Sequence, residues 1–344
     1  MLAEYKKHVL EFKTPSRTSR GEMRTHTVYY IYLRNEKRSA IGEAAPLKGL
    51  SVDDVEDFEE RLKYFCELVN SGIHPFELDL KKFPSIRFAF ESCLEELKNN
   101  EPHALFPSHF LNMEGIPING LVWMDTKDKM QEQAFEKIKQ GFNCLKFKIG
   151  ALDFDEECRM IETVRKKYSA FNLEIRLDAN GAFTKEDVFE KLKELSRFEI
   201  HSIEQPVKPK QYELMQEVCS VSKIKIALDE ELIGWDVFEE GEKMLKIIRP
   251  AYLILKPTLL GGFSLSNEWI RLTRKYELNW WITSALESNI GLNAIAQWAA
   301  SLKCTIPQGL GTGSLYKNNI ASSLKVSGGK LYYDKNLKWG VLKD

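Results

Sequence analysis

Residues 145–150 read Leu145-Lys146-Phe147-Lys148-Ile149-Gly150, two lysines one residue apart in an otherwise apolar run. Side chains alternate across a strand, so Leu145, Phe147 and Ile149 face one way and both lysines the other. Burying a lysine is costly unless it is paired or put to use. The stretch is therefore either an edge strand with one wet face or a strand whose lysines point into a site. The runs around it bear on that choice.

Apolar, β-rich runs recur about every 25–30 residues through the later part of the chain, which is the repeat of a (β/α)8-type barrel. In order they are INGLVW (118–123), LKFKIG (145–150), LEIRLDAN (173–180), IHSIEQP (200–206), IKIALDE (224–230), AYLILKP (251–257), NWWITSALES (279–288) and CTIPQGLGTG (304–313), with amphipathic stretches between them. An open doubly wound sheet would carry a GxGxxG turn after an early strand, and none is present. The reading is an α/β chain built on a TIM-type barrel.

Ahead of the barrel, residues 1–112 read as an α+β module. YKKHVLEFK (5–13) and HTVYYIYLRN (26–35) are strand-like, and the polar stretch between them, TPSRTSRGEMRT, reads as a long hairpin tip. Two helical patterns follow, 51–72 opening at Ser51 before acidic residues, and 85–100. The barrel is expected over 113–322, and a tail over 323–344 returns to the first module.

Composition narrows the function. The 344 residues are 43% hydrophobic and 29% charged with a formal net charge of −1, so there is no global pull toward nucleic acid or anionic membrane. The six cysteines form no CxxC pair and read as reduced core residues, and the histidines show no zinc spacing. The start, MLAEYKKHVLEFK, is too charged for a signal peptide, and no apolar run reaches the ~20 residues of a spanning helix. A cytoplasmic protein acting on a small molecule is expected. Self-association into a homo-oligomer is compatible with this composition.

Active sites of such barrels gather at the C-terminal strand ends. Read in order, those ends carry Lys146 and Lys148, then Asp178, Glu204, Asp229 and Lys256. Alternation places Arg176, Asp178 and Asn180 inside, with Ile175, Leu177 and Ala179 outside. Singly, each acid is an ordinary helix cap or turn residue, and Glu230 and Glu231 read as helix-start acids. Jointly, one acid on each of three consecutive strands, flanked by lysines on both sides, reads as a site. Three converging carboxylates repel one another unless a cation joins them, and hard oxygen ligands suit Mg²⁺, with Mn²⁺ as the alternative ion. A carboxylate substrate at that ion has its α-proton acidified, and a lysine whose pKa is lowered by neighbouring cations is a suitable base.

These motifs resemble the enolase superfamily, in its branch with a KxK motif on the second strand, over essentially the whole chain. The resemblance implies an α+β capping domain on a modified (β/α)7β barrel. It also implies Asp178, Glu204 and Asp229 as Mg²⁺ ligands, Lys148 as the base, Lys256 on the opposite face, and Lys146 as the residue that tunes Lys148. LKPTLLGG (255–262), TSALESNIGL (283–292) and GLGTGSLY (309–316) look most like the o-succinylbenzoate synthases of that superfamily. That likeness implies Mg²⁺-dependent syn-dehydration of a cyclohexadiene carboxylate in menaquinone biosynthesis.

Other readings are an N-succinylamino acid racemase, a dipeptide epimerase and a non-catalytic binding barrel. Dipeptide epimerases typically carry a DxD motif near the eighth strand, where this chain has no acid. All six key positions being intact argues against the binding barrel. For substrate contacts, Arg176 either pairs with a substrate carboxylate or a metal ligand, or braces the barrel as an inner ion pair. Ser284 ends the seventh strand, and Gly309, Gly311 and Gly313 either present N–H groups or form a tight turn. Arg17, Arg20 and Arg24 are either a lid over a dianionic substrate or a solvated basic loop. Trp280, Trp281 and Trp298 read as core or helix-packing residues.

Overall fold

Segment 145–150 sits in the second strand of a parallel barrel in the computed structural model, which describes residues 1–18 and 21–341, without the side chains of 16–18. The chain opens with β1 (Leu2–Thr18), β2 (Gly21–Arg34) and β3 (Ser39–Ala44), an antiparallel sheet in the order β1-β2-β3. α1 (Phe58–Asn70) and α2 (Pro84–Leu97) pack on it through Leu62, Phe65, Ile86 and Phe90.

After β4 (Ile116–Pro117), strand and helix alternate: β5 (Gly120–Val122), α3 (Lys127–Lys139), β6 (Cys144–Lys148), α4 (Phe154–Lys167), β7 (Glu174–Asp178), α5 (Val188–Leu195), β8 (Ser202–Glu204) and α6 (Tyr212–Val221). The pattern continues with β9 (Lys225–Leu228), α7 (Glu242–Ile248), β10 (Tyr252–Leu255), α8 (Pro257–Leu260), α9 (Gly262–Lys275), β11 (Asn279–Ile282) and α10 (Asn289–Ser301). Strands β5 to β11 form one parallel sheet in sequence order. A final hairpin, β12 (Leu324–Ser327) and β13 (Lys330–Tyr333), pairs with β4. Beyond it, Trp339 stacks on His103.

The eighth run closes the barrel without forming a regular strand. Gln308 bridges to Ile118 on one side and Gly309 to Thr283 on the other. Gln308 N–H donates to Pro117 O (2.8 Å) and Gly309 N–H to Ile282 O (2.8 Å). Pro307 lacks a donor for a ladder. The approach is also too close for a side chain, since a Cβ on Gly309 would lie 2.5 Å from Thr283 Oγ1.

Alternation holds through the barrel. Leu145, Phe147 and Ile149 pack with Ile175, Leu177, Ile203 and Leu253 in the layer between strands and helices. Burying each such side chain is worth about 1.5–3 kcal/mol, which fixes the strand face and turns Lys146 and Lys148 inward. Gly150, at φ +95, ends β6 where a Cβ would meet Ala182 at 2.4 Å.

Two expectations for the first module are corrected. The polar stretch 14–25 is largely strand, because Ser16, Arg17 and Thr18 pair with Met23, Glu22 and Gly21. The first helix begins at Phe58 rather than Ser51. Ser51 Oγ accepts from Leu47 N–H (2.7 Å), while Asp53 accepts from Ser85 N–H (2.8 Å) and Ser85 Oγ (2.6 Å) at the start of α2. Both residues are occupied in turns and cannot start α1.

The N-terminal sheet is stitched to the far end of the barrel. Lys13 N–H donates to Leu315 O and Lys317 N–H to Glu11 O, both at 2.8 Å. Asn318 bonds to Glu11 N–H and Val9 O. Leu10, Phe12, Val28, Tyr30 and Leu47 pack with Ala285, Leu286, Ile290 and Tyr316 to form a second apolar core over the barrel mouth. No helix among the described residues is long and apolar enough to cross a membrane.

Candidate active site

Parallel pairing brings the strand ends level. Lys146 sits opposite Arg176 and Lys148 opposite Asp178, while Asp178 pairs with Glu204. Lys146 Nζ lies 2.9 Å from Asp178 and bonds to Glu204. Lys148 Nζ donates to Asp178 (2.6 Å) and to Asn180 Oδ1 (2.8 Å). Lys256 Nζ reaches Asp229 at 2.5 Å from the other side. All three lysines and all three acids are shielded from solvent.

Asp178, Glu204 and Asp229 place carboxylate oxygens within 4.8 Å of one another. Glu204 Oε1 and Asp229 Oδ1 are buried without a hydrogen-bond partner among the described residues. Such atoms are costly unless something else satisfies them. A hard divalent cation fits this donor set, because it takes oxygen ligands and removes the mutual repulsion.

The electrostatics separate the lysines. Burial holds Lys148 below the ordinary lysine value; Asp178 opposes this, and the cations of Lys146 and Lys256 add to it. For Lys146, burial is outweighed by Asp178, Glu204 and Asp229, and its pKa is raised. Lys256 is likewise raised, with Asp229 and then Glu230 overcoming its burial. Burial pushes Glu204 upward against Lys146, while Asp178 and Asp229 push it further. The arrangement thus holds one lysine disposed to give up its proton and two disposed to stay charged.

A cavity opens above these groups. Lys146, Lys148, Lys256, Asn119, Ser284 and Thr312 line its polar side; Met23, Leu47, Leu50, Trp123 and Leu286 line its apolar side.

The model of the enolase C-terminal domain-like family matches residues 129–335. The o-succinylbenzoate synthase of Desulfotalea psychrophila is 42% identical, covering 96% of this chain and 98% of its own length. The chain belongs to the o-succinylbenzoate synthase family. Its Escherichia coli relative of the same name is 28% identical over 84% of each chain. The crystal structure of MenC from Desulfotalea psychrophila superposes with a TM-score of 0.87 at 39% identity, covering 96% and 99% of the two chains. The L-Ala-D/L-Glu epimerase of Bacillus subtilis, at 18% identity, shares the fold with a TM-score of 0.82 over 98% and 96%.

Seen as a member of this family, the chain shows how the remaining expected residues are placed. Ser284 lines the cavity and bonds to Thr312 Oγ1 at 2.7 Å. Gly309 and Gly311 line it too, and Gly309, Gly311 and Gly313 all lie outside the left-handed region. Because the Gly309 N–H is given to Ile282 O, that residue contributes closeness rather than a donor.

Arg176 is not at the mouth. It is fully buried one layer lower, donating to Glu174 (2.6 Å) and Pro307 O (2.9 Å), its guanidinium 4.2 Å from the Trp281 ring. It braces the barrel-closing segment. Arg176→Met is expected to cost about 1–3 kcal/mol in urea unfolding, since it leaves Glu174 and Pro307 O without their donor. Arg20 and the Arg17 side chain lie outside the described residues, and Arg24 is exposed and pairs with Glu22 at 2.7 Å.

Three contributors escape the sequence reading as site residues. Asn180 joins Lys148 to Glu230, donating to Glu230 Oε1 at 2.9 Å. Its place on the Asp178 face is visible by alternation. Gln205 accepts from the Asp229 and Glu231 N–H groups, steadying the third acid. The first module supplies Met23, Leu47 and Leu50, and no local pattern marks those.

Proposed function

We propose that the chain catalyses the syn-dehydration of 2-succinyl-6-hydroxy-2,4-cyclohexadiene-1-carboxylate to 2-succinylbenzoate and water, within menaquinone biosynthesis in the cytoplasm. The observation that carries this reading is a lysine of lowered pKa, Lys148, facing Lys256 across three buried acids beneath a half-apolar cavity. The similarity to the Desulfotalea psychrophila synthase supports it.

On this reading Asp178, Glu204 and Asp229 would hold Mg²⁺, which would supply positive charge to offset the substrate carboxylate and acidify the adjacent C–H. The neutral Lys148 amine takes the proton from the ring carbon bearing the carboxylate. The resulting ammonium then gives that proton to the hydroxyl leaving the neighbouring carbon on the same face, so water departs and the ring becomes aromatic. Lys256, kept charged by Asp229, faces the developing negative charge without exchanging a proton. Lys146 stays protonated and holds Asp178 and Glu204 in place. The apolar wall excludes water while the carbanion exists. Residues 1–112 act as the cap, 113–322 as the catalytic barrel and 323–344 as the returning tail.

The test is turnover of the cyclohexadiene carboxylate by purified protein, with Mg²⁺ and with EDTA, followed by the appearance of 2-succinylbenzoate. Product that depends on the ion is expected, and no product in either case overturns the reading. A parallel incubation with N-succinyl amino acids in D₂O reads α-deuteration. Exchange at a rate rivalling dehydration would favour a racemase instead.

A further inference from the structure

We propose that Glu43 is a positioning residue for substrate recognition. From β3 it holds the loop between β11 and α10, keeping Leu286 in a left-handed backbone conformation against the cavity. The inference rests on the cavity being the substrate site.

Glu43 is fully buried and reaches from the N-terminal sheet to the barrel. One carboxylate oxygen accepts from Ser288 N–H at 2.7 Å. The other accepts from Ser288 Oγ at 2.6 Å and Gly291 N–H at 2.7 Å. Ser288 already caps α10 through Ile290 N–H, so the helix has a local cap without Glu43. A buried carboxylate brought from a distant segment serves more than the helix end.

Its effect falls on the residues just before. Leu286 has φ +70, where a bulky side chain is strained. Such a conformation persists only where its surroundings over-determine it. Here they do: Tyr316 Oη donates to Leu286 O, and Glu287 accepts from Ala285 N–H at 2.7 Å while bonding to Thr258, two residues past Lys256. Glu43 secures the far end of the same loop. The Leu286 side chain is thereby set into both the cavity wall and the apolar core above the mouth. Glu43 also precedes Leu47 and Leu50, which line the cavity from the other module.

A positioning role makes the effects of Glu43 and Leu286 interdependent, because glycine takes φ +70 without strain. The experiment measures kcat and KM for the cyclohexadiene carboxylate, and the Kd of 2-succinylbenzoate by calorimetry. The proteins are wild type, Glu43→Gln, Leu286→Gly and the double variant. Glu43→Gln loses an acceptor and is expected to raise KM and Kd about tenfold with kcat changed less than about threefold. In the Leu286→Gly background the same substitution is expected to change Kd by less than about twofold.

Penalties that multiply in the double variant overturn the proposal, as does a fall in kcat at unchanged KM. Thermal melting of Leu286→Gly against Leu286→Ala gives an answer even where Glu43→Gln fails to fold. Strain at this position makes the glycine variant melt higher, and a higher-melting alanine variant overturns the proposal. Inactive wild type that still binds 2-succinylbenzoate would sink the dehydratase reading while leaving these comparisons intact.

Discussion

Lys148→Ala is expected to lower kcat by at least about 10³-fold while leaving the fold and the acidic triad in place. General acid–base catalysis by one side chain is typically worth about 10²–10⁴, and in the proposed mechanism a single amine serves both proton transfers. The position is pre-adapted to this double role, because burial with two neighbouring cations lowers its pKa and the bonds to Asp178 and Asn180 aim its nitrogen. Stopped-flow or steady-state turnover gives the first readout. Incubation of the variant with substrate in D₂O gives the second, since loss of the base stops exchange as well as elimination. Near-normal turnover by Lys148→Ala would transfer the role to another group.

The pH dependence follows with a definite sign. Lys148 must be neutral to accept a proton, so kcat/KM rises with pH as that lysine deprotonates. Replacing Lys146 by Met removes a like charge and leaves Asp178 and Glu204 less compensated, and both changes raise the Lys148 pKa. The rising limb of the profile should therefore move to higher pH in Lys146→Met. A limb that stays put would mean that Lys146 does not tune the base.

The second large effect concerns the ion. Mg²⁺ at about 100 times its Kd is expected to stabilise the native protein by about 2.7 kcal/mol, seen as a rise in Tm that EDTA reverses. Glu204→Gln should abolish both this rise and turnover. The carboxylate it removes is buried between Lys146 and the other two acids, with one oxygen lacking a hydrogen-bond partner among the described residues. Asp178 stays beside Lys146 in the variant, so the Mg²⁺-dependent rise is read against the Tm of the apo variant itself. A Glu204→Gln protein that still gains stability from Mg²⁺ would remove Glu204 from the ligand set.

The barrel and its reactive centre were legible because period-two alternation is a local signal that burial enforces. Lys146, Lys148, Asp178, Glu204, Asp229 and Lys256 occupy the inner strand ends that alternation assigns them. What escaped depends on partners far away in sequence. Residues 16–18 read as part of a turn because the stretch is polar, yet pairing with 21–23 makes them strand. Arg176 shares the inner face with Asp178, and only the three-dimensional depth of the barrel separates a floor residue from a mouth residue. The left-handed Leu286 backbone and the bonds from Glu43 to Ser288 have no signature in either segment alone.

The stitching of residues 11–13 to 315–318 carries a consequence for how the molecule is made. Glu11 and Asn318 are 307 positions apart, so β1 waits for a segment synthesised much later before these bonds form. Closing so long a loop carries a large entropic cost that must be met before the contact can repay it, and topologies of this kind fold slowly. Until then the apolar face of the first hairpin, with Leu10, Phe12 and Val28, has no barrel mouth to cover. The growing chain therefore exposes an apolar sheet face until residues 315–318 have been made. A ribosome-bound chain halted before residue 315 should be protease-sensitive in residues 5–30, and release of the remaining segment should protect them.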